Sequence, residues 1–378
     1  MPRPLSVKPS PACSQPCTVR LVAVVLGLVA VLVVGLGLLV YTSCPAEDGS
    51  WGYPDWAEVE QRLVTAQQSH GDLVTLEEVG RSVHDRTIYS LRVASPGSEG
   101  APVVWVVCGL HAREWTSPLA CLHILESLLA EVRTDPLLQR FHFHLLPLAN
   151  PDGYVYSMTR TGDPMDRLKR KNMAGSGCYD PLHDGVDLNR NFPLGWNTTE
   201  GCLSYRRSLE AYSSCPCSPS YPGPAPFSEP ETQAVRAALA AAPPWLLLDI
   251  HGSQGAWLSP WAGKEGAGPP AWQLGFLTPL LEAEYGVRYS TGPASQLVGL
   301  VGGTLLDWVA GGLGVERTYA VELHSECPVG EEGLAAALCL FQCPVSQARR
   351  AVVPVVWGGL KALVEWAHRE DWPQGAGV

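Results

Sequence analysis

The chain has 378 residues, 46% of them hydrophobic and 17% charged, with a formal net charge of −11 and a pI near 5.4. That apolar content supports a sizeable core, in one large α/β domain or two ordinary ones, and excludes a mostly disordered chain. The acidic balance excludes nucleic acid and anionic membrane surfaces as main partners.

In chain order, the first feature is an unbroken apolar run of 21 residues, Leu21 to Tyr41. As a helix it is long enough to cross a bilayer, and it lacks the polar stripe of an amphipathic core helix. It also exceeds the apolar region of a cleaved signal peptide, usually about 7–15 residues. Arg3, Lys8 and Arg20 precede it without acids, whereas Glu47, Asp48 and Asp55 follow. The positive-inside rule then predicts a cytosolic tail at 1–20, a signal-anchor at 21–41 and a juxtamembrane linker at 42–50. Everything beyond faces the extracellular or lumenal side. A secreted, cleaved chain is the alternative.

The folded region runs from Trp51 to Trp372, with a short tail at 373–378; no internal repeat or linker divides it. Strands are predicted over Thr87–Val93, Val103–Cys108, Phe141–Leu148, Trp245–Ile250 and Thr318–Leu323. Helices are predicted over Asp55–Ser69, Ser117–Val132, Ser228–Ala241, Ala271–Tyr285 and Val345–His368. Several strands are apolar on both faces, which fits a largely parallel sheet covered by helices. Two stretches, Met158–Gly185 and Pro193–Phe227, are rich in Gly, Pro, Ser, Asn and Asp; loops this long often border a functional cleft.

Ten of the 12 cysteines follow the apolar run, an even number compatible with disulfides outside the cytosol. Cys108, in an apolar strand, also fits a buried thiol. Cys13 and Cys17 fall on the cytosolic side. Asn197-Thr198-Thr199 is a glycosylation sequon facing the same side as the folded region.

Chemistry-bearing residues sit where strands end. His111 and Glu114, both zinc-ligand types, follow Val103–Cys108, and His251 follows Trp245–Ile250. Taken alone, each reads as an ordinary surface or structural residue. Together, two strand ends supply three donors to one ion and leave a fourth position for water. Glu322 ends a third strand, where a carboxylate acts as general base. Basic residues lie in the first long loop, Asp166 to Lys171, and at Asn189-Arg190. Arginine's planar fork suits a carboxylate or a developing oxyanion. There is no G-x-S-x-G elbow, H-E-x-x-H or Walker A sequence.

The ordered set HAREW (His111–Trp115), NPDGY (Asn150–Tyr154), DRLKRK (Asp166–Lys171), GVDLNRNF (Gly185–Phe192), SEPET (Ser228–Thr232), DIH (Asp249–His251), GG…DW (Gly302 to Trp308) and VEL (Val321–Leu323) resembles the zinc carboxypeptidases of the A/B type. The resemblance runs from about Trp51 to the last helix. It implies a mixed, mostly parallel central sheet flanked by helices and one Zn2+ per chain, held by His111, Glu114 and His251. It implies Glu322 as general base and then acid, and Arg170 on the scissile carbonyl and oxyanion. Asn189 and Arg190 would grip the terminal carboxylate of a peptide substrate, with Arg113 and Arg167 assisting along the peptide path. The residue before the DW pair would floor the specificity pocket. Here it is Leu306, or Leu305 if the glycine pair fixes the alignment, and either implies a preference for apolar C-terminal residues.

The chain departs from the family pattern in several places. Gly252-Ser253 stands where Ser-Tyr is common. Gln296 to Val301 holds no tyrosine where the family has one that closes over substrate. One extra residue lies between Gly303 and Asp307, and His324-Ser325 replaces an arginine and an acid. These departures keep two further readings open: a membrane-anchored, non-catalytic zinc-binding ectodomain that binds peptide C-termini, and a zinc hydrolase of non-peptide amides. The oligomeric state is not legible in the sequence.

Overall fold

The computed structural model describes residues 52–159, 164–196, 215–266, 268, 271–324, 341 and 345–371. The predicted tail 1–20, span 21–41, linker 42–50 and end 373–378 lie outside them, as do Asn197, Cys13, Cys17, Cys44, Cys202, Cys327, Cys339 and Cys343. Among the described residues no helix is long and apolar enough to cross a membrane.

Helix α1 (Trp56–Ser69) begins one residue later than predicted because Asp55 is its cap. Asp55 accepts from the Glu58 amide at 2.8 Å while Glu58 accepts from the Asp55 amide at 3.0 Å. Such a reciprocal box satisfies two amides the helix itself leaves unbonded and contributes about 0.5–2 kcal/mol. Val59, Leu63 and Ala66 form its buried stripe.

The sheet has seven strands: β1 (Val74–Arg81), β2 (Thr87–Val93), β3 (Val103–Cys108), β4 (His142–Leu146), β5 (Leu246–Ser259), β6 (Ser290–Pro293) and β7 (Arg317–His324). The order is β1-β2-β4-β3-β5-β6, with β7 also paired to β5. The β1/β2 and β2/β4 pairs are antiparallel; β3/β4, β3/β5, β5/β6 and β5/β7 are parallel. The mixed, mostly parallel sheet is therefore as expected, with the antiparallel strands at one edge.

Side chains alternate across a strand, and β3 shows both faces covered. Trp105 and Val107 join Leu247 in a core with Ala234, Val235, Ala238 and Leu239 of α4 (Pro230–Ala241). On the other face Cys108 meets Cys121 of α2 (Thr116–Glu131). The predicted C-terminal helix is interrupted. A turn at Val345–Gln347 and a widened turn at Ala348–Val352 precede the long helix Val353–Asp371. Pro354, which has no N–H to give to the preceding turn, sits where the regular helix starts. Helices α3 (Pro151–Met158) and α5 (Leu277–Tyr285) complete the larger helices.

β5 is longer than the predicted Trp245–Ile250, and its register explains why. From Leu246 opposite Arg317 to Ser253 opposite His324, partners advance together. Beyond that the sense reverses: Ala256 lies opposite Glu322, Trp257 opposite Val321 and Leu258 opposite Ala320. The chain thus doubles back over the end of β7 within Ser253–Gly255. Gly255 has φ +66°, and a Cβ there would come within 2.9 Å of the His324 ring. His251 therefore lies inside β5, two residues before the reversal begins, rather than after the end of a strand as expected.

Candidate metal centre and active site

The first two donors come from the turn after β3. Gly109 has φ +68°, and a Cβ on it would lie 3.1 Å from the Leu148 backbone, so the chain turns there only as glycine. The Ser117 hydroxyl accepts from the Gly109 amide at 2.9 Å and donates to the Ile250 carbonyl, tying this turn to β5. The Glu114 amide donates to the His111 carbonyl at 3.2 Å, and the Ala112 amide to the Arg170 carbonyl at 3.0 Å. His111 and Glu114 therefore face one point. His251 arrives from β5.

The three side chains are 4%, 4% and 3% exposed, and one ligand atom from each lies within 4.8 Å of the others. The two imidazoles point Nδ1 at each other, 3.1 Å apart, and the Glu114 carboxylate lies 2.8 Å from His111 Nδ1 and 3.1 Å from His251 Nδ1. Each Nε2 faces away, toward a buried carboxylate: Asp187 at 3.2 Å from His111 and Asp249 at 2.8 Å from His251. A carboxylate only accepts, so each Nε2 carries the proton and each Nδ1 presents its lone pair inward. Two imidazoles and a carboxylate converging in this way, once metal displaces the proton that His251 holds, are the donor set of a catalytic zinc site with one position open.

The electrostatics agree. Burial opposes charge on Glu114, but His111 and His251 outweigh it and hold the carboxyl well below its usual range. Burial also opposes charge on His251, yet Asp249 and Glu114 push that imidazole well above its usual range. A field that retains a cation at His251 favours a metal ion in the same place. Glu322 differs: burial, and then the Glu114 charge, raise it to about 7. His251 and Glu322 are cross-strand partners on β5 and β7. A carboxylate poised near neutrality beside a metal site has the properties of a general base.

The family model for zinc carboxypeptidases matches residues 59–347. The chain belongs to the zinc carboxypeptidase family. It is a zinc metallocarboxypeptidase, a hydrolase with one Zn2+ per chain. Carboxypeptidase B of Astacus astacus is 32% identical over 280 residues, covering 72% of this chain and 86% of that protein. Mast cell carboxypeptidase A of Rattus norvegicus is 31% identical over 291 residues, covering 72% of this chain and 64% of that protein. Among solved structures, carboxypeptidase A from Helicoverpa armigera is similar at TM-score 0.69 and 27% identity, covering 83% of this chain and 73% of that one. Bovine thrombin-activatable fibrinolysis inhibitor, solved with tick carboxypeptidase inhibitor, is similar at 0.70 and 25%, covering 85% and 99%.

Within this carboxypeptidase site, Arg170 donates from Nε to Asp187 at 2.9 Å, and its Nη1 lies 3.8 Å from Glu114. Asp187 thus orients a metal ligand and an arginine at once. Asp187 and Asp249 both lie in the sequence motifs, which by themselves assign them no role. The available signal was Asp249's position two residues before His251. Asn189 accepts from the Leu305 amide at 2.8 Å, and its amide nitrogen lies 3.0 Å from His251 Nε2. Arg190, half-buried, donates to the Asn189 carbonyl at 2.6 Å.

The basic loop is not solvated. Lys169 and Lys171 are each 1% exposed, and their ammonium groups donate to the carbonyls of Pro181 and Asp184, and of Pro216 and Ser218. Lys171 thereby holds the segment that carries the Cys178–Cys217 disulfide; Cys215 is also disulfide-bonded. Arg167 is buried, stacks 3.5 Å over Trp115, and donates to the carbonyls of Arg113 and Phe341. Those donors are committed to the fold, and the Arg113 guanidinium lies 4.4 Å over the Phe341 ring.

The two candidate pocket leucines separate. Leu305 packs with Phe192 and Trp308 in the main core. Leu306 instead joins Ala256, Leu258, Ala262, Ala294 and Ala320, with Val298 and Val301 packed alongside. Ala320 shares a face of β7 with Glu322, so this second cluster adjoins the general-base candidate.

Proposed function

We propose that this metallocarboxypeptidase hydrolyses the C-terminal peptide bond of peptides that end in an apolar residue. The observation that carries the preference is the cluster around Leu306, which gathers four alanines and two leucines on the Glu322 side of β7; the neighbouring Asp307 carboxylate is taken up by the Ala262 and Gly263 amides. A charged side chain meeting that wall would lose solvation without gaining a partner. An apolar one gains about 25 cal/mol for each Å² removed from water.

When bound at His111, Glu114 and His251, zinc supplies a Lewis acid that polarises the scissile carbonyl and acidifies water. Glu322 accepts the proton of the attacking water and returns it to the leaving amine. Arg170, fixed by Asp187, offers its remaining N–H groups to the developing oxyanion. Arg190 meets the substrate's terminal carboxylate, joined by the Asn189 side-chain amide, whose oxygen is held by the Leu305 amide and whose nitrogen is the donor. A free carboxylate held at a fixed distance from the metal accounts for cleavage of the last bond only. Gly252 fits the same scheme. Its amide donates to Glu114 at 3.1 Å, and a Cβ there would crowd Thr116 at 3.2 Å. The convergence of donor set, base candidate and arginine supports turnover over a non-catalytic ectodomain.

On peptides differing only in the last residue, kcat/KM for Leu or Phe is expected to exceed that for Lys or Glu by about tenfold or more. Best cleavage of Lys or Glu would overturn the preference while leaving the zinc site intact.

We further propose that the enzyme is a single-pass membrane protein with its catalytic part outside the cytosol and Asn197 glycosylated. The run Leu21 to Tyr41, the basic residues before it and the Cys178–Cys217 disulfide support this reading. The full chain is expected to resist alkaline carbonate extraction and to be cut by protease only from the non-cytosolic side, apart from its first 20 residues. Its release as a full-length soluble chain would exclude the anchor.

A further inference from the structure

At the end of the sheet opposite the metal centre lies a cavity of about 640 Å³. It opens between the second half of α4, the Pro243–Trp245 approach to β5 and the segment from Trp308 to Arg317 that leads into β7. Leu246 begins β5 and His251 follows five residues later, so the rise of a strand places the cavity roughly 17 Å from the zinc ligands. Its size falls within the range of about 300–1,000 Å³ typical of small-molecule sites.

The lining has two parts. Pro244, Trp245 and Trp308 give it an apolar, largely aromatic wall. The rim carries charge. Arg317 is already committed, paired with Asp371 and stacked 4.7 Å over Trp245. Arg236 is exposed, lies 4.7 Å over the Phe227 ring, and has no carboxylate within ion-pair distance among the described residues. Glu316 also lines the rim, is exposed, and forms no ion pair among the described residues. The rim therefore offers one uncommitted guanidinium and one uncommitted carboxylate, above a wall that calls for an apolar body.

We propose that this cavity is a second ligand site, separate from the metal centre, which takes an amphiphilic monocarboxylate. The apolar body lies against Trp245 and Trp308, and the carboxylate meets Arg236. A guanidinium resting on an aromatic ring is pre-positioned and can engage a carboxylate with two parallel N–H donors. Glu316, the rim carboxylate without an ion pair among the described residues, stands against a second negative group on the ligand, hence a monoanion. Neither the metal donors nor the cluster around Leu306 enters this site, so it stands independently of the substrate preference proposed above.

The test uses the zinc-loaded full-length chain and a photoreactive phenyldiazirine derivative of 4-phenylbutyrate. Irradiation, digestion and mass spectrometry locate the label. Label is expected on peptides within 236–245 and 308–317, besides label in the catalytic cleft, which serves as an internal reference. Arg236→Glu removes the cation, and Ala240→Trp fills the cavity from its exposed rim. Each is expected to lower the cavity label by about tenfold or more, with cleft label and peptide hydrolysis unchanged. The corresponding alcohol and amine probes are expected to label the cavity at least about tenfold less than the acid. The proposal is overturned by absence of cavity label, by undiminished cavity label in both variants, or by equal or stronger labelling with the alcohol or amine.

Discussion

Glu322→Gln lowers kcat by about 10²–10⁴-fold while zinc content and folding stay at wild-type levels. Glutamine keeps the shape of the side chain and removes the basic oxygen, so the loss falls on proton transfer. The pH profile separates this role from a packing role. Glu322 works as the carboxylate, so wild-type kcat/KM is present above its ionisation and lost as pH falls through it. Burial and the Glu114 charge raise that ionisation to about 7; the positive charge of bound zinc draws it back down. The acid limb of wild type is therefore expected between the ordinary glutamate value, about 4.3, and about 7. The glutamine variant retains whatever slow turnover it has without that limb. Near wild-type turnover, or an unchanged acid limb in the variant, would assign the base to another group.

What the sequence made legible follows from which features are local. β2 and β3 are legible to the residue because both are short runs rich in β-branched and aromatic residues flanked by turn signals. α1 was one residue off because a cap residue lies half outside its helix. The zinc donors and Glu322 were legible because they adjoin apolar strands, and eight motifs in order tied them together. β1 was not, since it is an edge strand with a single fully buried residue, Val74, and two glutamates in its middle. β6 was not, since Ser-Thr-Gly-Pro has no strand propensity and is held by pairing with β5 alone. The reversal at Ser253–Gly255 is likewise tertiary: only the contact of both arms with β7 defines it. The same distinction separates Leu305 from Leu306. They are adjacent and identical in chemistry, and only packing sends one to the main core and the other to the wall beside Glu322. The burial of Arg167, Lys169 and Lys171 was not legible either. A run of charges reads as a solvated face, yet backbone carbonyls in nearby loops supply enough acceptors to bury three of them.

His251→Ala is expected to abolish both zinc retention and hydrolysis. Three donors converge on one point, and zinc with only His111 and Glu114 lacks the tripod that fixes a catalytic ion. A graded companion is Asp249→Asn, which keeps all three donors but removes the carboxylate that orients His251 through Nε2. Loss of such a partner typically costs about 10–100-fold in metal affinity, so its zinc content should fall under competition with a chelator and recover with added metal. The pH dependence of binding gives a further sign. Asp249 and Glu114 raise the His251 imidazole above its usual range, so protons compete with the metal there, and zinc is held at higher pH and released as pH falls. Asp249→Asn weakens that competition along with the affinity, which makes its release less steep in pH. His251→Ala also leaves the fully buried Asp249 carboxylate without its partner, a change that costs on the order of 3–5 kcal/mol when a buried pair is broken. A destabilised chain would then lose zinc for want of a fold. The double variant His251→Ala, Asp249→Ala removes the stranded charge and is expected to regain thermal stability without regaining zinc. Stoichiometric zinc in a folded His251→Ala chain, measured by metal analysis after dialysis, would remove His251 from the donor set.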